Sequence, residues 1–401
     1  MLTKQFAKLR KREDVEIKSG GWAIEQETKK ATNGSQNAPD KAAIRTSNEK
    51  DQPPIYGALD LGTNNCRLLV AQPNESGFQV IDSYSRIIRL GEGVSETGVL
   101  CPNAIDRCLS ALDVCATKLA FNGVSRARLV ATEACRAAQN SDDFIAKVKN
   151  NTGLTLEIID QQTEADLAVA GCVSLIDKSC DHVLIFDIGG GSSELIWLDV
   201  NQLKTAKQTD ATNGNQWGES QAINAWESFP VGVVTLAEKF GGKTVTPQSY
   251  QAMVSYVKDL LAGFARKIDQ KIDLKTSKTH FLGTSGTVTT LAGVYLDLEH
   301  YDRQKIDGIW MDMRDVKKIS QKLITLTHEQ RAQIPSIGCE RADLVLGGCA
   351  ILTAMLELWP TEKLRVADRG LREGILAQLM TEDGWLKPGH PWTSTCKKRH
   401  P

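Results

Sequence analysis

No run in this sequence approaches the roughly 18 consecutive apolar residues that a helix needs to cross a bilayer, so a membrane-spanning role is not expected. An excess of one charge is lacking too. The 48 Lys and Arg residues against 49 Asp and Glu leave a net charge of −1, so no global field draws the chain to nucleic acid or to a membrane surface. A polyanionic ligand would have to be held by cations and backbone amides placed locally. The 10 cysteines include no CxxC pair and the 6 histidines show no zinc-ligand spacing, which leaves transition-metal chemistry without support. Cys108, Cys115, Cys172 and Cys349 lie in apolar patterns and read as reduced core thiols. Residues Met1 to Arg12 are basic but lack the apolar stretch of a signal peptide, so a cytoplasmic location is the default expectation.

Residues 1–54 are polar and charged, and the stretch "KKATNGSQNAPDKAAIRTSNEKDQPP", which has almost no large apolar side chain, cannot bury enough surface to offset its ordering entropy. This segment is expected to be a disordered extension, with a transient helix at most around Phe6 to Ile24. Gln202 to Asn224 has the composition of a long surface loop, and 382–401 reads as an irregular tail with a basic tip. The remaining length suits two domains, expected at 55–180 and 181–381, with the last helix of the second packing back on the first.

Within those bounds a pattern repeats. "IYGALDLGTNNCRLLVAQ" reads as apolar strand, Asp-x-Gly turn and second apolar strand, and "VLIFDIGGGSSELIWL" repeats it with its Asp 127 residues later. A third strand at Phe78 to Leu90 would extend the first hairpin into a meander. Helical spacing follows at Ile105, Cys108, Leu112 and Leu119, closed by Gly123. Next come strand Ala127 to Ala131, helix Asp142 to Asn150, strand Leu154 to Ile159 and helix Glu164 to Leu175. The second unit is followed by helix Pro247 to Ile268, strand Thr279 to Leu282, a helix from Thr287 and an all-round apolar helix within Ala342 to Leu358. Two units that each open on an Asp-Gly hairpin imply an internally duplicated α/β fold with a cleft between its halves.

The hairpin turns carry the chemistry. In Asp187-Ile188-Gly189-Gly190-Gly191-Ser192-Ser193-Glu194, consecutive glycines after a buried strand cost backbone entropy but let successive N–H groups face a ligand. Such a nest suits a phosphate, and the flanking Asp187 and Glu194 offer hard oxygens for Mg²⁺. The same turn alone is also what a tight hairpin with an N-capping Asp looks like. The first loop, Asp60-Leu61-Gly62-Thr63-Asn64-Asn65, tips the balance, because an ordinary hairpin has no reason to repeat the Asp at the equivalent place. Two such loops facing each other form a phosphate clamp. A third turn, Gly283-Thr284-Ser285-Gly286-Thr287, would point amides of Ser285 and Gly286 at an anion from a helix N-terminus, though such turns also simply cap helices.

These motifs, in this order, resemble the exopolyphosphatase and guanosine pentaphosphatase (Ppx/GppA) family of the actin-like superfamily, over about Ile55 to Met380. "ALDLGTNNCRLLVA" is similar to the family's first phosphate motif and "FDIGGGSSEL" to its second; "ATEACRAAQN", "VGVVTLAEKF" and "GTSGTVTTLAG" follow in the expected order. The resemblance implies a two-domain actin-like (ribonuclease H-like, duplicated) α/β fold, a homodimer and a general base at Glu164 in "QQTEADLAVAG". From the residues alone, Glu164 reads rather as a first-turn Glu meeting the helix dipole. Neighbouring Asp166 is the weaker candidate, and Thr163 stands where the family often has a second acid. Arg136 and Asn140 match family-typical positions, and Arg89 and Arg136 are the cations expected beside the phosphates. Arg341, Asp343, Asp368, Arg369 and Arg372 are expected in helix or dimer contacts. The phosphate ligands expected are thus Gly62, Thr63, Asn64, Arg89, Arg136, Gly189, Gly190, Gly191, Ser192, Ser285 and Gly286, with Mg²⁺ or Mn²⁺ near Asp60, Asp187 and Glu194.

The implied reaction is in-line attack of water on a terminal phosphorus of inorganic polyphosphate or of pppGpp. With the chain ending soon after the expected core, the added C-terminal helical domain of longer family members is not expected. Two other classes stay open. An actin-like kinase or ATPase would need an adenine pocket and an Asp placed on an acceptor hydroxyl. A non-catalytic alarmone-binding regulator would not need the base.

Overall fold

The computed structural model describes residues 53–209, 222–274, 276–387 and 393–396, so the extension expected at 1–54 lies almost wholly outside the described residues. In chain order the strands are β1 (Tyr56–Leu61), β2 (Asn65–Asn74), β3 (Gly77–Ile87), β4 (Arg126–Ala131), β5 (Glu157–Ile158), β6 (His182–Ile188), β7 (Ser193–Asp199), β8 (Ile223–Phe229), β9 (Thr279–Gly283), β10 (Trp310–Asp312), β11 (Lys363–Val366) and β12 (Thr393–Cys396). The helices are α1 (Val94–Thr97), α2 (Pro102–Phe121), α3 (Glu133–Ala137), α4 (Ser141–Thr152), α5 (Gln161–Cys172), α6 (Val200–Thr209), α7 (Val233–Phe240), α8 (Pro247–Asp269), α9 (Gly286–Tyr295), α10 (Arg303–Ile306), α11 (Met313–Thr325), α12 (His328–Ala332), α13 (Val345–Leu358) and α14 (Leu371–Glu382).

Two mixed sheets of 6 strands result, ordered β12-β3-β2-β1-β4-β5 and β10-β11-β9-β6-β7-β8. Each is built on an antiparallel meander whose first strand also pairs in parallel with a strand reached through helices: β1 with β4, and β6 with β9. The duplication read from the hairpins is therefore present in the topology. Helix α2 starts on Pro102 at its first turn and buries Ala104, Cys108, Ala111, Leu112, Cys115 and Leu119, a stripe at helical spacing, against one face of the first sheet. The other face receives α14, whose Ile375, Leu376, Leu379 and Met380 pack on Tyr56, Ala58, Leu69 and Ala71. The second sheet is covered on one face by α7, α8, α9 and α13. On its other face lie Ala165, Val169 and Cys172 of α5.

Helices α5 and α14 cross at backbone contact. A Cβ placed on Gly374 would lie 1.9 Å from Leu167 O, and one on Gly171 would lie 1.9 Å from Gly370 O. Only glycine lets the two helix backbones meet so closely.

Several expectations are corrected. Part of the stretch read as a surface loop, Gln202 to Asn224, belongs to α6, because Leu203 packs into the second core; residues 210–221 lie outside the described residues. The strand that ends this loop, β8, already begins at Ile223, and its residues are half-buried without clear alternation. The tail expected to be irregular contributes β12, parallel to β3. The strand expected at Leu154 to Ile159 is only the bridge Glu157–Ile158, and α5 begins at Gln161 because the Asp160 carboxylate caps Thr163 N. Cys108, Cys115, Cys172 and Cys349 are buried in the cores as expected. No helix among the described residues is long and apolar enough to cross a membrane.

Candidate active site

Strand register places the key side chains. Asp60 pairs with Arg67 across the first hairpin, and Asp187 pairs with Glu194 across the second. The two turns touch one another across the cleft. A Cβ on Gly190 would fall 3.0 Å from Thr63 Cβ and 3.1 Å from Asn64 N, and one on Gly191 would fall 3.0 Å from Thr63 Oγ1. The glycines are thus required by the approach of the opposite loop as well as by any ligand.

The amides divide into two sets. Gly62 N donates to Asn65 O and Gly189 N to Ser192 O, each at 2.9 Å, so these two close their own hairpins instead of facing a phosphate. Among the described residues no hydrogen bond engages the N–H groups of Thr63, Asn64, Gly190 or Gly191. The carbonyls of Gly189 and Gly190 accept from Val233 N and Val234 N at 3.0 and 2.9 Å, so the start of α7 holds the nest from behind.

One cleft, with about 1070 Å³ of empty space, gathers Asp60, Thr63, Asn64, Gly190, Glu164, Asp187 and Glu194. Gly62, Gly189, Ser192 and Gly286 also line it. Glu164 enters from the first turn of α5, with its Oε2 2.8 Å from Arg136 Nη1. Glu194 Oε1 accepts from Ser192 Oγ at 2.7 Å and Ser228 Oγ at 2.9 Å, and Asp187 Oδ2 accepts from Thr284 Oγ1 at 2.9 Å.

Carboxylates outnumber nearby cations here, and they are largely buried, Glu194 most of all. Burial raises Asp60 and Asp187 above the usual carboxylate range. Burial and the neighbouring Glu194 raise Glu164 well above it. Burial and Asp187 push Glu194 up to about 7. A carboxyl whose folded-state value exceeds its unfolded one holds its proton better when folded, so stability falls as pH rises from about 4.5 to about 7 and then levels. Glu194→Gln, which keeps an acceptor for both serines, is expected to narrow the difference in Tm between about pH 5 and about pH 8. Thermal melts of both proteins at the two pH values check this; an unchanged difference would refute it.

The donor set suits a hard divalent cation. Asp60 makes no hydrogen bond among the described residues, and none reaches Asp187 Oδ1 or Glu194 Oε2, so each offers an oxygen. No three His, Cys, Asp or Glu side chains among the described residues form a ready metal cage. That is the pattern of an ion shared between one or two carboxylates and substrate phosphates.

A model of the Ppx/GppA phosphatase family matches residues 69–383. The chain belongs to this family. Among Ppx/GppA relatives it is 28% identical over 336 residues to Exopolyphosphatase 2 of Mycobacterium tuberculosis, covering 80% of this chain and 97% of that protein. It is 27% identical to the Guanosine-5'-triphosphate,3'-diphosphate pyrophosphatase of Aliivibrio fischeri, spanning 82% of this chain but 60% of that protein. The solved Ppx/GppA family member from Aquifex aeolicus superposes with a TM-score of 0.64 at 26% identity, over 82% of this chain and 98% of its own. The two-domain actin-like α/β fold expected from the sequence is thus the fold of this chain.

For a Ppx/GppA chain the site departs from the sequence reading at several residues. Arg89 does not line the cleft: it pairs with Asp343 at 3.0 Å and donates to Glu340 O at 3.2 Å, joining the two halves at the rim. Its neighbours do likewise, Gly93 N and Ser95 Oγ bonding Glu238 at 3.0 and 2.7 Å. Arg136 is held among Glu133, Glu164 and Ile159 O and has no edge left for a phosphate. The Ser192 hydroxyl is committed to Glu194, and the Ser285 side chain turns back to cap α9 at Val288 N. Gly191 packs on Thr63 and Glu133.

Two cations missed as ligands stand in the cleft instead. Arg67 has no hydrogen bond or ion pair among the described residues, and its Nη2 would lie 3.3 Å from a Cβ on Gly286, at the start of α9. Arg341, expected in a helix contact, lines the cleft and donates to Thr290 Oγ1 at 3.1 Å. Of its group, Asp343 takes Arg89, Asp368 takes Arg303 at 3.4 Å, and Arg369 pairs with Asp307. A signal for Arg67 was available: it follows Asp60 at the spacing by which Glu194 follows Asp187.

Proposed function

We propose that this chain hydrolyses the terminal phosphoanhydride of inorganic polyphosphate, or of pppGpp to give ppGpp. The observation that carries the reading is a carboxylate, Glu164, in the same cleft as the free amides of both hairpin turns and the side chains of Arg67 and Arg341. Those amides and guanidiniums are donors for the oxygens of a terminal phosphoryl group and its neighbour. Glu164, made more basic by burial and by the neighbouring Glu194, accepts a proton from water aligned with the phosphorus. A Mg²⁺ or Mn²⁺ ion held by one or two of Asp60, Asp187 and Glu194 would supply Lewis-acid stabilisation of the phosphoryl oxygens.

Phosphate release is the test, measured on polyphosphate, pppGpp, ATP and p-nitrophenyl phosphate with Mg²⁺ and with EDTA. Turnover of the first two, abolished by EDTA and restored by Mg²⁺, is the expected result. Turnover of ATP alone, and only with an acceptor sugar present, would establish the kinase reading instead.

A further inference from the structure

Arg136 offers its guanidinium to fixed partners on every side. Its Nε and Nη2 both donate to Glu133 Oε2, at 3.2 and 2.9 Å. Its Nη1 donates to Ile159 O at 2.9 Å and lies 2.8 Å from Glu164 Oε2. The fork of the guanidinium is therefore closed on Glu133, and only one nitrogen reaches Glu164. An Arg beside a single carboxylate tends to close on it with two parallel hydrogen bonds. Were Arg136 to close on Glu164 in that way, both oxygens of Glu164 would be occupied and none would remain to accept from water.

Glu133 is well held for this task. It stands at the start of α3, directly after β4, and its side chain is 21% exposed at the cleft wall. A Cβ on Gly191 would lie 3.5 Å from Glu133 Cγ, so its stem rests against the glycine loop of the opposite half. Among the described residues its carboxylate has no partner other than Arg136, an ion pair between residues three apart on one short helix.

We propose that Glu133 is a positioning residue for Glu164: by occupying the fork of Arg136 it leaves one oxygen of Glu164 open to the attacking water. The proposal rests on the reading of Glu164 as the base. It adds a residue that does not touch substrate and acts only through Arg136.

The test compares Glu133→Met, which keeps the stem but removes the acceptor, with Glu133→Gln, which keeps an acceptor oxygen for Nε and Nη2. Phosphate release by the full chain is measured across substrate concentrations, with a thermal melt of each variant. Glu133→Met is expected to lower kcat by roughly tenfold or more with KM within about twofold, and Glu133→Gln to stay within about threefold of wild type. In a Glu164→Gln background, Glu133→Met should add no further loss, since both act on one proton transfer. Should the Met variant fail to fold, Glu133→Ala serves in its place, and Glu133→Gln keeps the comparison. A Gln variant as impaired as the Met variant would overturn the proposal, as would a rise in KM with kcat unchanged. Full turnover by Glu133→Met alongside an inactive Glu164→Gln overturns the role of Glu133 alone. An active Glu164→Gln removes the base reading itself, and the proposal with it.

Discussion

Glu164→Gln is expected to lower kcat by a factor between about 10² and 10⁴, with KM little changed. The substitution preserves the shape of the side chain and an acceptor for Arg136 Nη1, which lies 2.8 Å away, so the cleft should keep its walls. What disappears is the basic lone pair. A loss confined to kcat is the signature of an interaction made in the transition state, whereas a structural collapse would move KM and the melting temperature as well. The wild type supplies a second reading of the same group. Burial and Glu194 hold the Glu164 carboxyl well above the usual carboxylate range, so activity should fall on acidification before ordinary carboxylates titrate. In Glu164→Gln that acid limb should vanish from whatever activity remains. Full turnover in this variant would place the base elsewhere, with Asp166 the first residue to examine.

The second large effect concerns stability. Gly374→Ala is expected to destabilise the protein by at least the roughly 1–3 kcal/mol typical of overpacking, lowering Tm by something on the order of 2–5 °C. The new Cβ would lie 1.9 Å from Leu167 O, and a carbonyl of α5 cannot swing aside as a side-chain tip can. Gly171→Ala meets Gly370 O at the same distance and should behave alike. Gly263→Ala is the control. Gly263 sits inside α8 with nothing within 4 Å of a Cβ, so Ala there should be neutral or slightly stabilising. Equal melting of the Gly374 and Gly263 variants would rule out the close helix crossing.

How much of this was legible in the sequence depends on what kind of information each residue carries. Both hairpins were, because short apolar runs interrupted by Asp-x-Gly specify strand, turn and strand locally. The helices α2 and α8 were legible through their apolar stripes, and α13 through being apolar nearly all round. Glu164 was reachable only through its resemblance to a family motif, since its local context is that of any first-turn Glu. Arg89 and Arg136 were singled out as cations for phosphate, whereas the structure pairs them with Asp343 and Glu164, partners that their local sequence does not reveal. Ser192 looked like a donor to a ligand until its near neighbour Glu194 proved to take the hydrogen bond. The start of strand β8 escaped because none of its residues before Phe229 is fully buried, leaving no alternation to read. Which groups share a cleft is a property of tertiary contacts, and composition or spacing does not record it.

The packing of α14 on the first sheet bears on how this chain is made. The apolar face formed by Tyr56, Ala58, Leu69 and Ala71 is covered by Ile375, Leu376, Leu379 and Met380, and the Tyr56 hydroxyl meets Asp383 across 327 residues of sequence. On the ribosome the first half therefore emerges with one side bare and waits for its cover until the second half has been translated. At about 5–20 residues per second that wait lasts on the order of tens of seconds, long compared with the folding of a small domain. The second half, whose larger core is drawn from α7, α8, α9, α11 and α13, has no such debt to a distant segment. The half synthesised first is thus the one that finishes last, and it is the one exposed to chaperones and to mispairing in the interval.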